Sequence, residues 1–124
     1  MRAAIVVAAG VMAAGVVTLC VATALAAERL KPEEIKATFF TGQPFTASTP
    51  GNIKYTMVFT TDGNVTRTPV GKSGNKGEGT WKLSRDGYCT TWKGNKSTCY
   101  TVIPAGENKW SVMQGATVKA SWSK

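Results

Sequence analysis

From Ile53 to the C-terminus, turn-forming residues recur about every eight to twelve positions, and that rhythm constrains the fold more than any other feature of the chain. Segments of about five to seven residues joined at hairpin length leave no room for crossover connections, which need about a dozen residues. Ile53, Tyr55, Met57 and Phe59 alternate with Lys54, Thr56, Val58 and Thr60, which is strand spacing with one richer apolar face. Asp62-Gly63, Asp86-Gly87, Gly94-Asn95, Pro104-Ala105-Gly106 and Gln114-Gly115 mark turns. Between them, strands are predicted over 65–70, 80–84, 88–92, 98–103, 109–113 and 116–122. Pro69 falls near a strand end, where its missing N–H is tolerated. Residues 71–79 read as a flexible loop, and Ala116, Val118, Ala120 and Trp122 are expected to share a face. The fold class is therefore all-β: a small antiparallel meander closed or nearly closed into a seven- or eight-stranded barrel. A flattened sandwich is the alternative.

Ahead of the strands, Leu30-Lys31-Pro32-Glu33-Glu34-Ile35 reads as a short N-terminal helix over about 32–38. Proline suits the first helical turn, and two glutamates there favour the helix dipole. Leu30, Ile35 and Phe39 or Phe40 would dock it.

The first 26 residues have a different character. Met1-Arg2 supplies a minimal positive start, and residues 3–27 carry no charge. The run is rich in Ala and Val and ends in Ala24-Leu25-Ala26. Charge, apolar stretch and small residues flanking a cleavage point describe a secretory signal peptide, cut near Ala26. The expected compartment is the periplasm or the medium. An uncleaved anchor and lipidation at Cys20 are the alternatives; the large Leu19 before Cys20 disfavours lipidation. Of 124 residues, cleavage leaves 98, enough for one domain over 27–124. Loss of Arg2 lowers the net charge from +8 to +7.

Export also decides the cysteines. Cys20 leaves with the signal, so Cys89 and Cys99 form an even set in an oxidising compartment, where a disulfide is expected. Two free thiols at a metal or redox site are the alternative. Directly opposed, the pair places Gly94 at the midpoint of its hairpin and calls for an odd-length loop such as Lys93-Gly94-Asn95.

Gly79-Thr80-Trp81, followed by Gly87-Tyr88-Cys89, Trp92 and Cys99, resembles a pattern in small exported β-proteins of Gram-negative bacteria grouped as domains of unknown function. The pattern is also distantly similar to periplasmic proteinase- and lysozyme-inhibitor barrels and to lipocalin-like proteins. It covers residues 77–100 and implies a fold and a compartment rather than an activity. In lipocalins the Gly-x-Trp lies on the first strand, whereas here it is mid-chain.

The chemistry on offer is narrow. Histidine is absent, which removes the commonest general base and metal ligand. Asp62 and Asp86 precede turn glycines, and Glu33 and Glu34 suit a helix start, so no acid–base pair stands out. Gly71-Lys72-Ser73 lacks the glycine five residues upstream and the following helix that a phosphate loop needs. The expectations are no enzyme, cofactor, metal or nucleotide, and a monomer. What remains is basic: Lys72, Lys76, Lys93 and Lys96 fall in two loops that would form a binding rim if both lie at one barrel end. A purely solubilising charge is the bland alternative. Trp81, Trp110 and Trp122 lie on apolar strand faces and are expected to pack inside. Trp92, beside a loop, either packs or stands exposed to stack on sugars or bases.

The leading functional expectation is a non-catalytic exported binding module, one form of which is an inhibitor of an exported hydrolase. A basic protein binding polyanions or an anionic envelope component is the alternative, and a Ser/Lys hydrolase the third reading. Expressed from Met1 in a secreting bacterial host, the protein is expected to be recovered beginning at Ala27. Intact mass spectrometry reads this directly, and a membrane-bound product retaining residues 1–26 would give the anchor instead.

Overall fold

The computed structural model describes residues 28–124; the expected export leader, its expected cleavage near Ala26 and Cys20 lie outside them. A short helix, α1 (Pro32–Phe39), leads into eight strands. These are β1 (Phe45–Ser48), β2 (Lys54–Phe59), β3 (Asn64–Pro69), β4 (Gly77–Leu83), β5 (Tyr88–Trp92), β6 (Thr98–Pro104), β7 (Lys109–Gln114) and β8 (Thr117–Ser123). Each pairs antiparallel with the next, and β1 pairs with β8 through Ala47 opposite Trp122, so the sheet closes into a barrel. Closure removes both free edges.

The expected all-β barrel with a short helix and one disulfide is the observed fold, with eight strands. The helix is as short as expected. Pro32 sits in its first turn, and Glu34 accepts a hydrogen bond from the Lys31 N–H at 2.8 Å. Both phenylalanines at its end dock, not one of them. Phe39 and Phe40 are 1% exposed and enter one end of the barrel. Phe39 meets Phe45, Trp110 and Trp122 with ring centroids 4.8–5.1 Å apart. Phe40 stacks on Phe59 at 4.3 Å and touches Trp81 and Tyr88. Each such aromatic pair is worth about 0.5–1.5 kcal/mol beyond the area it buries. Trp122 is buried, while Trp81 and Trp110 are half-buried against the core; the Trp81 indole N–H donates to the Thr60 carbonyl at 2.8 Å.

Four details depart from the sequence reading. Strand β1 was not expected, because Phe45-Thr-Ala-Ser48 is too short for its alternation to register before the β2 pattern begins. Strand β4 begins at Gly77, inside the stretch read as loop, because its inward positions 77 and 79 are glycines that carry no apolar signal. Strand β8 does not keep one face. Val112 pairs with Ala120 but Met113 with Val118, so Lys119 is an extra residue in a bulge, and Val118 turns to solvent, 43% exposed. Finally, Cys89 does stand opposite Cys99, but β5–β6 pairing stops at Thr90 opposite Thr98. The connection is wider than three residues.

The two motif glycines have a steric basis. A Cβ at Gly87 would overlap the Tyr100 carbonyl oxygen, and one at Gly79 would overlap that of Thr91. Only glycine lets these strands approach. The Cys89–Cys99 disulfide joins β5 to β6 with Cα atoms 3.9 Å apart and a sequence separation of 10. Reducing it, or replacing both cysteines by alanine, is expected to lower stability by about 2–3 kcal/mol. The urea midpoint measured with and without reductant checks this.

Candidate functional site

In a meander barrel the turns alternate between ends. The β1–β2, β3–β4, β5–β6 and β7–β8 connections therefore gather at the end opposite α1. The helix closes one end, and the other opens into a cavity of about 140 Å3. Its floor is apolar, made by Phe59, Tyr88 and Trp122 on the far side of the Phe39–Phe40 plug. Met57, Val112 and Ala120 line the wall. Tyr88 is buried, which holds its phenol well above the ordinary value of 10.0, with nearby Tyr100 adding to the shift. It is therefore neutral at physiological pH.

The upper half of the cavity is polar. Strand alternation turns Val65 and Arg67 inward on β3, and Tyr88, Thr90 and Trp92 inward on β5. The Arg67 guanidinium carbon lies 4.7 Å from the Trp92 ring centroid and 5.3 Å from that of Tyr55. Held by two aromatic rings, its Nε is buried and has no hydrogen-bond partner among the described residues. The same is true of the Thr90 hydroxyl, whose residue is 3% exposed. Both side chains line the cavity. Gly77 makes this seat: a Cβ there would come 2.9 Å from Arg67 Nε and 3.4 Å from the Trp92 ring. At the rim, the β8 bulge brings Lys119 to the mouth.

Arg67 and Trp92 also line a larger outer groove of about 440 Å3, with Lys76, Glu78, Lys93 and Asn95. The structure thus brings Lys76, Trp92 and Lys93 together. Lys72 lies at the same end beside a separate hollow with Ile53 and Val70, and Lys96 is exposed in the β5–β6 loop. Of the two readings for Trp92, packing is the observed one. The ring is half-buried and stacked on Arg67.

Sequence reasoning missed Arg67, Thr90 and Lys119. Arg67 had a usable signal, being two residues after Val65 and hence on the face that strand alternation sends inward. Thr90 sits in the same phase between Tyr88 and Trp92. Lys119 had none, because a bulge leaves no mark in the residue pattern. Among the described residues, no three His, Cys, Asp or Glu side chains are placed to hold a metal ion. Comparison of the chain with protein-family models, curated proteins and solved structures gives no match.

A buried hydroxyl without a partner costs about 1–3 kcal/mol. Thr90→Val keeps the shape and removes that cost, so it is expected to stabilise the empty protein by about 1 kcal/mol. Thermal unfolding of the variant beside the parent checks the sign.

Proposed function

We propose that this chain is a non-catalytic exported binding module whose working surface is the open end of the barrel, and that its partner is an anionic envelope component. The observation that carries this reading is the convergence of Lys76, Lys93 and Arg67 on one groove, with Lys72 and Lys96 on neighbouring loops of the same end. Lys119 adds a further cation at the mouth. A surface charged only for solubility has no reason to gather cations around an opening. Here they sit where field lines would lead an anion inward.

The absence of histidine and the scarcity of carboxylates near the opening support a binding rather than a catalytic role. Glu78 is the one carboxylate lining the outer groove. The signal-like residues 1–26 and the Cys89–Cys99 bridge support an extracytoplasmic setting, in which acidic polysaccharide and anionic lipid head groups are abundant. A protein partner, including the exported hydrolase of the inhibitor reading, would be told apart by salt. Exposed charge pairs weaken as the Debye length shrinks from about 10 Å at 0.1 M to about 3 Å at 1 M, whereas a packed interface persists.

Co-sedimentation with vesicles containing anionic lipid is expected at low salt and not at high salt, with no binding to neutral vesicles. Replacing Lys72, Lys76, Lys93 and Lys96 together by Gln is expected to weaken binding by about a thousandfold, at about 1 kcal/mol per lysine. Equal binding by parent and variant would overturn the assignment of the rim. A protein retained from an envelope extract at high salt would move the assignment to the inhibitor reading.

A further inference from the structure

The geometry points to a ligand for the inner cavity: a small organic carboxylate whose flat apolar body fills the barrel and whose head group is held by Arg67 and Thr90. The inference rests on the open barrel end of the binding-module reading, but not on the lysines of its rim.

Three observations set the chemistry. The first is the pair of donors left without partners. Buried polar groups are nearly always hydrogen-bonded, and each exception calls for a reason. Two of them, Arg67 Nε and Thr90 Oγ1, belong to side chains that line a single small cavity. Both can donate, and one carries a full positive charge. Trp92, stacked on Arg67, is two residues from Thr90 on the same face of β5, so both side chains belong to the inward wall of that cavity. A ligand in the cavity that offers acceptors to both side chains gives each a partner. The guanidinium edge matches the planar, two-oxygen head of a carboxylate.

The second observation is the layering. Beneath the donors the wall is Met57 and Val112, and the floor is Phe59, Tyr88 and Trp122. Fully hydrated inorganic anions gain nothing from such a floor, whereas an apolar body does. The third is size. A cavity of about 140 Å3 is close to the roughly 150 Å3 of an engineered apolar cavity known to admit benzene. The body is therefore a single ring or a short chain, not a long acyl tail. A larger substituent would have to leave through the outer groove, whose wall Arg67 and Trp92 share.

The arrangement looks built for this use. Gly77 is the one residue type that leaves room for the Arg67 side chain between Tyr55 and Trp92. The β8 bulge keeps Lys119 at the mouth, where it favours entry of an anion.

Isothermal titration of the purified chain, expressed from Met1, with benzoate, benzamide and inorganic phosphate tests the inference, with tryptophan fluorescence as a second readout. Benzoate is expected to bind saturably at one site. Benzamide, with the same ring and no charge, and phosphate, with charge and no apolar body, are each expected to bind at least about tenfold more weakly. Arg67→Met keeps the side-chain stem and Thr90→Val keeps the shape, and each is expected to weaken benzoate by about tenfold or more. Circular dichroism of both variants separates loss of binding from loss of fold. Lys93→Gln with Lys96→Gln is expected to retain benzoate while losing affinity for anionic vesicles, so the cavity and the rim fail or succeed separately. No saturable benzoate binding, equal binding of benzamide or phosphate, or unchanged affinity in Arg67→Met and Thr90→Val would each overturn the inference.

Discussion

The insertion of Phe39 and Phe40 into one end of the barrel is the interaction on which the rest of the structure depends. Eight strands enclose an interior just wide enough for side chains to fill. The strands supply most of their large inward residues toward the helix end, among them Phe45, Phe59, Trp81, Tyr88, Trp110 and Trp122. Those rings still need a lid, and the two phenylalanines provide it. Deleting one such buried ring in a protein core costs about 3–5 kcal/mol, a large part of the stability of a domain this size. The plug also fixes the path of the chain into β1, because only a few residues separate Phe40 from Phe45.

Filling the barrel from one end makes it asymmetric. Toward the mouth the inward positions include Gly77, Gly79, Thr90 and Arg67 beside Tyr55 and Trp92, and they neither fill the space nor give Arg67 Nε and Thr90 Oγ1 a partner. Cation–π contacts of Arg67 with Tyr55 and Trp92 are worth about 0.5–2 kcal/mol each when desolvated. That is of the same order as the penalty for its unpartnered Nε. The guanidinium is therefore held in position at little net gain to the fold. Stability alone would be served as well by a leucine or methionine at position 67.

Most of the architecture was legible in the residues, and the reason is local. Strand alternation and turn glycines act within a few positions, so β2, β5 and the Cys89–Cys99 register follow from short windows of sequence. The misses share a cause as well. Strand β1 and the start of β4 are recognised by their partners rather than by their own composition: Phe45–Ser48 is zipped between β2 and β8, and Gly77 is placed by pairing with Arg67. The lysine-bearing loops were found because charge is visible in composition. The inner donors were not: Arg67 and Thr90 share the inward phase of Val65 and of Tyr88 and Trp92, but a polar residue at such a position counts against burial until the barrel's interior is known. Lys119 needed the bulge itself.

The pairing of β1 with β8 has a further consequence, one of timing. The first strand completes its hydrogen bonding only with Ser121, Trp122 and Ser123 of the eighth strand. The contact between them spans nearly the whole domain, the kind of long-range pairing that slows folding. The β1–β7 ribbon therefore stays open until Ser121–Ser123 of β8 are in place. Truncation of even the final strand would leave β1 and β7 as exposed edges, free to pair with another copy.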